Sequence, residues 1–206
     1  MTLVIDYGAG NLRSVENALN FLGADYAIVT TPEKLSRADR VIFPGVGEAA
    51  SSMKELRKNG LDGEIQRFVA SGRPFLGICL GSQIILERSE ESNTTCLGLL
   101  EGTSRAFSRG SGLKIPHMGW NSVSLAEEDP IFKGVPDNAD FYFVHSYYPD
   151  PEDSSCTIAS CEYGVRFTAG LKNDNVYAFQ FHPEKSGPYG LKIIANFLEM
   201  TEGTVC

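Results

Sequence analysis

The stretch FLGICLG, residues 75–81, places a cysteine between two glycines at the end of an apolar run. The apolar run predicts a buried strand, and a second apolar stretch at residues 84–86 predicts a helix after the turn. Gly77 and Gly81 stand two positions on either side of Cys79, and their lack of a side chain permits a tight turn and close packing. The pattern is typical of the nucleophile elbow G-x-S-x-G with cysteine in place of serine. At the first turn of a helix, the free N–H groups and the helix dipole would favour the thiolate of Cys79.

The fold class follows from how apolar runs alternate along the chain. In the first half, short apolar runs alternate with helical patterns, which predicts a parallel sheet with helices on both faces. From about residue 98 to residue 181 the runs are short and punctuated by turn residues, and residues 176–179 form the last of them. We therefore expect an α/β protein with an open, mostly parallel sheet and an antiparallel extension in the C-terminal half. A helix at residues 188–200 closes a single domain, residues 1–206.

Charge, cysteine content and apolar patterns argue against several classes of partner and location. The net charge of −8, from 18 basic and 26 acidic residues, argues against nucleic acid and against an anionic membrane surface. The five cysteines are odd in number and have no C-x-x-C spacing, which favours free thiols in a reducing cytosol. No apolar stretch approaches the roughly 20 residues that span a bilayer, and residues 1–6 lack the basic start of a signal peptide. We expect a cytoplasmic protein with no metal and no cofactor.

A histidine and a glutamate near the C-terminus could complete a catalytic triad with Cys79. His182 and Glu184 follow the strand predicted at residues 176–181 and are separated by one proline. A thiol nucleophile needs a base that takes its proton and returns it to the leaving group, and histidine titrates near neutrality. The base in turn needs an acceptor that fixes its tautomer. Cys79, His182 and Glu184 are therefore the predicted catalytic residues.

Backbone N–H groups near the elbow could stabilise an oxyanion. The N–H of Leu80 directly follows the nucleophile. The loop at residues 44–47 follows another predicted strand, and its two glycines would let backbone N–H groups face a ligand. Each motif alone could be structural: a packed cysteine, a structural histidine before proline, a plain turn. All three together, each after a predicted strand, are difficult to explain by packing alone.

The sequence resembles the class I (triad) glutamine amidotransferases, and within them the glutaminase subunits of imidazole glycerol phosphate synthases. The motifs around the predicted triad, residues 75–83 and 179–184, carry the resemblance to the class. The resemblance extends over essentially the whole chain and implies a flavodoxin-like fold. The segments similar to the glutaminase subunits are residues 5–12, 44–47, 116–121, 143–147 and 182–186.

The resemblance implies roles for individual residues. Cys79 would attack the side-chain amide of L-glutamine, His182 would protonate the departing ammonia, and Glu184 would orient His182. Val46 and Leu80 would form the oxyanion hole, after a reorientation of the 45–47 loop that makes activity depend on a partner. The residues implied in glutamine binding are Gly47, Gln83, Glu91, Ser146 and Tyr147. Ser82 stands where the family commonly has methionine, which we expect to change packing only.

The resemblance also implies a partner. Nothing else in 206 residues looks like a synthase, so the ammonia acceptor would be a separate chain. Family members pair as heterodimers with a (β/α)8-barrel cyclase that makes imidazole glycerol phosphate and AICAR in L-histidine biosynthesis. Asn11, Trp120, Tyr142 and Lys185 are the implied interface or ammonia-route residues. Core packing is the alternative for Trp120 and Tyr142, and a solvated charge is the alternative for Lys185.

Two other functions remain open. The chain could be the glutaminase subunit of an anthranilate or aminodeoxychorismate synthase, although the segment at residues 117–121 argues against it. It could also be a catalytically silent docking subunit, although the intact predicted triad argues against that.

Overall fold

The fold is an α/β arrangement of two sheets and six α-helices in the part of the chain that the structure describes. The computed structural model describes residues 1–8, 12–108, 112–126 and 129–201. The strands are β1 (Thr2–Ile5), β2 (Tyr26–Val29), β3 (Arg40–Gly45), β4 (Phe75–Cys79), β5 (Leu86–Ser89), β6 (Thr94–Thr95), β7 (Leu100–Ala106), β8 (His117–Leu125), β9 (Ala139–His145), β10 (Tyr147–Pro151), β11 (Thr157–Glu162), β12 (Arg166–Asn173) and β13 (Val176–Phe179). The helices are α1 (Leu12–Phe21), α2 (Pro32–Leu35), α3 (Ala49–Lys58), α4 (Leu61–Ala70), α5 (Leu80–Ile84) and α6 (Gly187–Glu199).

The main sheet has nine strands in the order β2-β1-β3-β4-β13-β12-β11-β8-β9. The first five pair in parallel, and the last four extend the sheet in antiparallel fashion. This confirms the predicted fold class. The expectation for residues 176–179 was only half right, because β13 pairs antiparallel with β12 but parallel with β4. The pairing of Phe179 with Ile78 brings the segment after β13 next to the elbow.

A second, four-stranded sheet of order β10-β7-β5-β6 was not predicted. The helix predicted after the turn is present as α5, but its expected extension over residues 84–86 was wrong, because α5 ends at Ile84 and β5 begins at Leu86. The backbone explains why the helix ends there. The carbonyls of residues 84–86 accept hydrogen bonds from the amides of residues 97–99, so they are not available to continue the helix.

Helices cover both faces of the parallel strands. Along β3, Ile42 points to a core shared with α1 and α6, whereas its neighbours Val41 and Phe43 point to a core shared with α3, α4 and α5. This alternation is the two-residue period of a strand buried on both sides. Within the described ranges, no helix is both long and apolar enough to cross a bilayer. The organisation as one domain over residues 1–206 stays a prediction.

Candidate active site

Cys79 lies on a strained turn between β4 and α5. Its φ of 55° and ψ of −109° are unusual for a residue with a side chain, as expected at a nucleophile elbow. The flanking glycines serve close packing: a Cβ on Gly81 would lie 2.3 Å from the Phe43 carbonyl oxygen. A Cβ on Gly77 would lie 3.0 Å from the Gly81 carbonyl oxygen. Because α5 has only five residues, the expected help to the thiolate comes from its first N–H groups more than from a long helix dipole.

His182 and Glu184 form a buried pair beside Cys79. His182 Nδ1 lies 2.8 Å from Glu184 Oε1, and the two side chains are only 2% and 3% exposed. Burial lowers the pKa of His182, but the close approach of Cys79, the Glu184 hydrogen bond and the charges of both groups outweigh it and raise the pKa to about 10. His182 Nε2 is buried and has no hydrogen bond of normal geometry within the described ranges. The pair therefore offers a proton-carrying imidazole with one free nitrogen beside the predicted nucleophile.

The turn that carries His182 is fixed from both sides. The His182 N–H donates to the Tyr142 carbonyl on β9 at 2.9 Å. The Ser186 hydroxyl donates to the His182 carbonyl at 2.6 Å and accepts from the Tyr142 N–H at 2.9 Å. Helix α6 packs directly against the turn, since a Cβ on Gly190 would lie 2.0 Å from the Pro183 carbonyl oxygen. Strand β9 and helix α6 thus determine where the imidazole lies.

One cavity of about 280 Å³ collects nearly all the predicted site residues. Cys79 and His182 line it, and Glu184 stands behind His182. The predicted oxyanion and glutamine-binding residues on its wall are Val46, Gly47, Leu80, Gln83, Glu91, Ser146 and Tyr147. Sequence reasoning missed three lining residues, Pro116, Val144 and His145. These lie within or next to segments that resemble the family, but nothing in the motifs marks them individually.

Two polar side chains on the wall are oriented by the protein. Gln83 Nε2 donates to the Tyr147 carbonyl at 2.8 Å and to Gln180 Oε1 at 2.9 Å, so both of its amide hydrogens are used. Gln83 can therefore offer a ligand only its oxygen. Glu91 Oε2 accepts from the Ala49 N–H at 2.7 Å at the start of α3. Burial raises the pKa of Glu91, and the Ala49 bond partly opposes that effect.

The other two histidines form a buried, neutral pair, in which His145 lines the cavity and His117 lies behind it. Asn121 Nδ2 donates to the Glu162 carbonyl at 3.0 Å and faces His117 Nε2 at 3.3 Å. His117 Nδ1 then donates to His145 Nε2 at 2.9 Å, and His145 Nδ1 donates to the Tyr147 carbonyl at 2.8 Å. Burial lowers the pKa of His117 to about 4 and that of His145 to about 3. Each imidazole thus has a single defined tautomer.

These environments predict how the three histidines titrate. In an NMR titration, His117 and His145 should remain neutral down to about pH 5, while His182 should carry its proton at pH 7. In the unfolded chain both histidines of the pair titrate near their ordinary pKa, so the full free energy of unfolding is present above about pH 6.5. As the pH falls from 6.5 toward the folded pKa values, the free energy of unfolding decreases by roughly 1.4 kcal/mol per histidine per pH unit. An imidazole of the pair that titrates near 6.5 would contradict the burial of this pair.

Two of the four predicted interface residues, Trp120 and Tyr142, lie on β8 and β9. Trp120 is 55% exposed and pairs across the strands with half-buried Tyr142, their ring centroids 6.1 Å apart. Core packing, the alternative for Trp120, is therefore wrong. Lys185 is half-buried at the end of the turn that carries His182. Asn11 lies outside the described residues.

The donors needed for a metal centre are not clustered. Across residues 1–8, 12–108, 112–126 and 129–201, no three His, Cys, Asp or Glu side chains are grouped so that they could hold a metal ion. The arrangement instead suits acyl transfer: a cysteine on an elbow, a buried histidine–carboxylate pair and backbone groups around one cavity.

Comparison with known proteins agrees with this class of site. Residues 3–200 match the family described as Glutamine amidotransferase class-I, and the chain belongs to this family. Among the similar sequences are proteins named imidazole glycerol phosphate synthase subunit HisH, of which two are described. The relative from Dehalococcoides mccartyi is 46% identical over 204 residues, which cover 98% of each chain. The relative from Methanosarcina acetivorans is 49% identical over 201 residues, which cover 96% of this chain and 98% of the relative.

Solved structures confirm the fold. The crystal structure of a putative GMP synthase protein from Thermoplasma acidophilum aligns with a TM-score of 0.71 and 25% identity, covering 96% of this chain and 91% of the other. The structure of PurLQS from Thermotoga maritima aligns with a TM-score of 0.74 and 22% identity, covering 96% of both chains. The names of the sequence relatives agree with the imidazole glycerol phosphate synthase resemblance rather than with the two alternative functions.

Proposed function

We propose that this chain is the glutaminase subunit of an imidazole glycerol phosphate synthase, with Cys79, His182 and Glu184 as its catalytic triad. The observation that carries the proposal is the position of the buried His182–Glu184 pair beside Cys79 on the wall of one cavity. A pseudoenzyme would have no chemical need for this arrangement. The names of the sequence relatives support the choice of synthase.

The proposed reaction hydrolyses L-glutamine in two steps. The Cys79 sulfur, its proton held by His182, attacks the amide carbon, so that an S–C bond forms. The C–N bond breaks when His182 gives the proton to the leaving nitrogen, which departs as ammonia. Water then attacks the thioester while His182 takes a proton from it, the S–C bond breaks with its electron pair left on sulfur, and His182 keeps the proton opposite the Cys79 thiolate, as at the start. The products are L-glutamate and ammonia, and Glu184 steadies the charged imidazole throughout.

The cavity wall provides groups for the ends of the substrate. The Glu91 carboxylate would receive the substrate ammonium, and the Gln83 side-chain oxygen can also accept from it. The backbone of Ser146 and Tyr147 would meet the carboxylate end. The carbonyls of both residues are already engaged within the protein, so their N–H groups are the atoms available for this role. The N–H groups of Val46 and Leu80 would stabilise the oxyanion.

We propose that the ammonia passes to a (β/α)8-barrel cyclase that docks over the cavity. An apolar surface, which we call the β8–β9 face, is formed by Met118, Trp120, Tyr142 and Val144. Met118 pairs with Val144, and Val144 itself lines the cavity, so this face reaches the cavity wall. Met118 and Trp120 are 56% and 55% exposed, and exposed aromatic and methionine side chains are typical of protein interfaces. Lys185 and Asn11 would add to this contact.

Glutamate release with and without the partner tests this proposal. The chain alone should release glutamate slowly, because the loop at residues 45–47 must reorient before it donates to the oxyanion. Addition of the cyclase together with its ribonucleotide ligand should accelerate the release strongly. A chain that forms no complex with the cyclase, or that is fully active alone, would contradict the proposed partner.

The four free thiols within the described ranges support a cytoplasmic location.

The β8–β9 face gives a specific prediction for docking. Trp120→Ala should weaken the complex by roughly 2 kcal/mol, about a thirtyfold increase in Kd, because a central exposed aromatic is a typical hot spot. Phe21→Ala is the matched control, since Phe21 is 77% exposed at the C-terminal end of α1. That end leads into β2, the edge strand at the other end of the main sheet's strand order from β8 and β9. Titration calorimetry should show normal affinity for Phe21→Ala, and equal affinities for both variants would remove Trp120 from the interface.

A further inference from the structure

Gln180 contacts the predicted nucleophile but has no role in the mechanism described so far. It lies one residue beyond β13, is fully buried, and its backbone N–H donates to the Ala169 carbonyl at 2.9 Å. Its side-chain Nε2 lies 3.8 Å from Cys79 Sγ, within hydrogen-bond range for sulfur. The effect on the sulfur depends on whether Gln180 turns its amino group or its oxygen toward it.

The orientation of the Gln180 amide follows from its neighbours. A backbone carbonyl can only accept, so the Tyr147 oxygen requires the amino end of Gln83 at 2.8 Å. The second hydrogen of that amino group points to Gln180 at 2.9 Å, which must therefore receive it with Oε1. Gln180 is left with its amino end toward Cys79. It is a donor to the sulfur, not an acceptor.

The Tyr147 carbonyl, where this series of hydrogen bonds begins, is itself held in place. The Tyr147 carbonyl also accepts from His145 Nδ1 at 2.8 Å, and His145 is bonded in turn to His117. Asn121, whose amide donates to the Glu162 carbonyl, closes the far end. A continuous network of hydrogen bonds thus runs from β8 to the Cys79 sulfur.

The polar groups around the sulfur have different effects on its charge. The Val144 carbonyl lies 4.0 Å from Cys79 Sγ and can only accept, so it favours the thiol. His182 and Tyr7 are two titratable groups that interact electrostatically with Cys79. Burial raises the pKa of Tyr7 to about 12, so Tyr7 is neutral near pH 7. Gln180 is an uncharged side chain whose amino group lies within hydrogen-bond range of the sulfur, and a donor at that position favours a negative sulfur.

We propose that Gln180 is a further catalytic residue, which donates a hydrogen bond from Nε2 to Cys79 Sγ and is held in that orientation by Gln83. The bond stabilises the thiolate before attack, and again when the thioester breaks and the electron pair of the S–C bond returns to sulfur. It also fixes the sulfur toward the cavity. The inference rests on the proposed function for its place in glutamine hydrolysis, but the contact with the thiol stands without it.

The test compares alkylation of Cys79 by iodoacetamide over a range of pH. The folded protein is alkylated, then digested, and the Cys79 peptide is measured by mass spectrometry. Gln180→Leu should lower the rate near pH 7 about tenfold, because the thiolate loses a buried hydrogen-bond donor. In the complex, kcat for glutamine should fall by about the same factor, with KM changed by no more than about threefold. Gln66→Leu is the matched control, since Gln66 donates to the Leu97 carbonyl at 2.7 Å from α4, and its alkylation profile should equal that of the wild type.

An alkylation profile of Gln180→Leu that matches the wild type would overturn the proposal. If that variant fails to fold, Gln180→Glu has the same shape but sets an acceptor against the sulfur, and it should lower the rate further. An unchanged rate in Gln180→Glu would overturn the proposal equally. The alkylation readout uses no glutamine. A wild-type protein that releases no glutamate would therefore count against the proposed function, while the alkylation comparison would still decide the role of Gln180.

Discussion

Replacing Cys79 by alanine should abolish glutamate release, with a loss on the order of 10⁴-fold or more. The proposed reaction cannot proceed without a sulfur nucleophile, because no thiol would then lie beside His182 to attack the amide carbon. Cys79 is 6% exposed at the turn, and alanine can fill its place with little change in packing. The variant should therefore still bind glutamine and the cyclase. Glutamate release should be measured in the complex, where the wild-type rate is highest.

Cys161→Ala is the matched control for this prediction. Cys161 is also buried, on β11, but burial raises the pKa of its thiol to about 12, so it is a protonated packing residue. Its removal should leave glutamate release within about twofold of the wild type in the same assay. Activity that persists in Cys79→Ala, or that disappears in Cys161→Ala, would show that the nucleophile has been assigned to the wrong cysteine.

Gly81→Ala should both destabilise the protein and remove most of its activity. The added Cβ would lie 2.3 Å from the Phe43 carbonyl oxygen, which is fixed in β3, so α5 and the elbow must move. We expect roughly 3 kcal/mol of lost unfolding free energy, at the upper end for an overpacked core. Displacement of the sulfur by about 1 Å would add a loss of about 100-fold in kcat. Urea unfolding and glutamate release measure the two effects separately.

Gly63→Ala is the control for the glycine substitution. Gly63 lies inside α4, where a Cβ would meet only the end of the Arg67 side chain at 3.9 Å. Because alanine is the better helix former, this variant should be more stable than the wild type by up to about 1 kcal/mol. If Gly81→Ala were as stable and as active as Gly63→Ala, the close packing of the elbow on β3 would not be needed.

The local part of the site could be predicted because its signals lie close together in the sequence. The glycine–cysteine–glycine spacing indicated a sharp turn, and the structure gives Cys79 a φ of 55° there. His182 and Glu184 are two residues apart, so their contact depended only on the local turn. The alternation of strands and helices likewise indicated the parallel half of the sheet.

Long-range pairing decided what the sequence could not show. The parallel pairing of β13 with β4 brings His182 to the elbow, although about 100 residues separate them in the chain. The contact between His117 and His145 depends on the register of β8 and β9, which apolar patterns alone do not specify. The exposure of Trp120 could not be predicted either, since an aromatic in a strand can face a core or a partner.

In the proposed reaction, Cys79 forms a covalent glutamyl thioester. The most direct measurement is acid quenching of the complex during glutamine turnover, followed by digestion and mass spectrometry of all cysteine peptides. We predict a glutamyl group on the Cys79 peptide alone, and its absence in Cys79→Ala. Glutamate release without any adduct on Cys79, or with an adduct on another cysteine, would contradict the account.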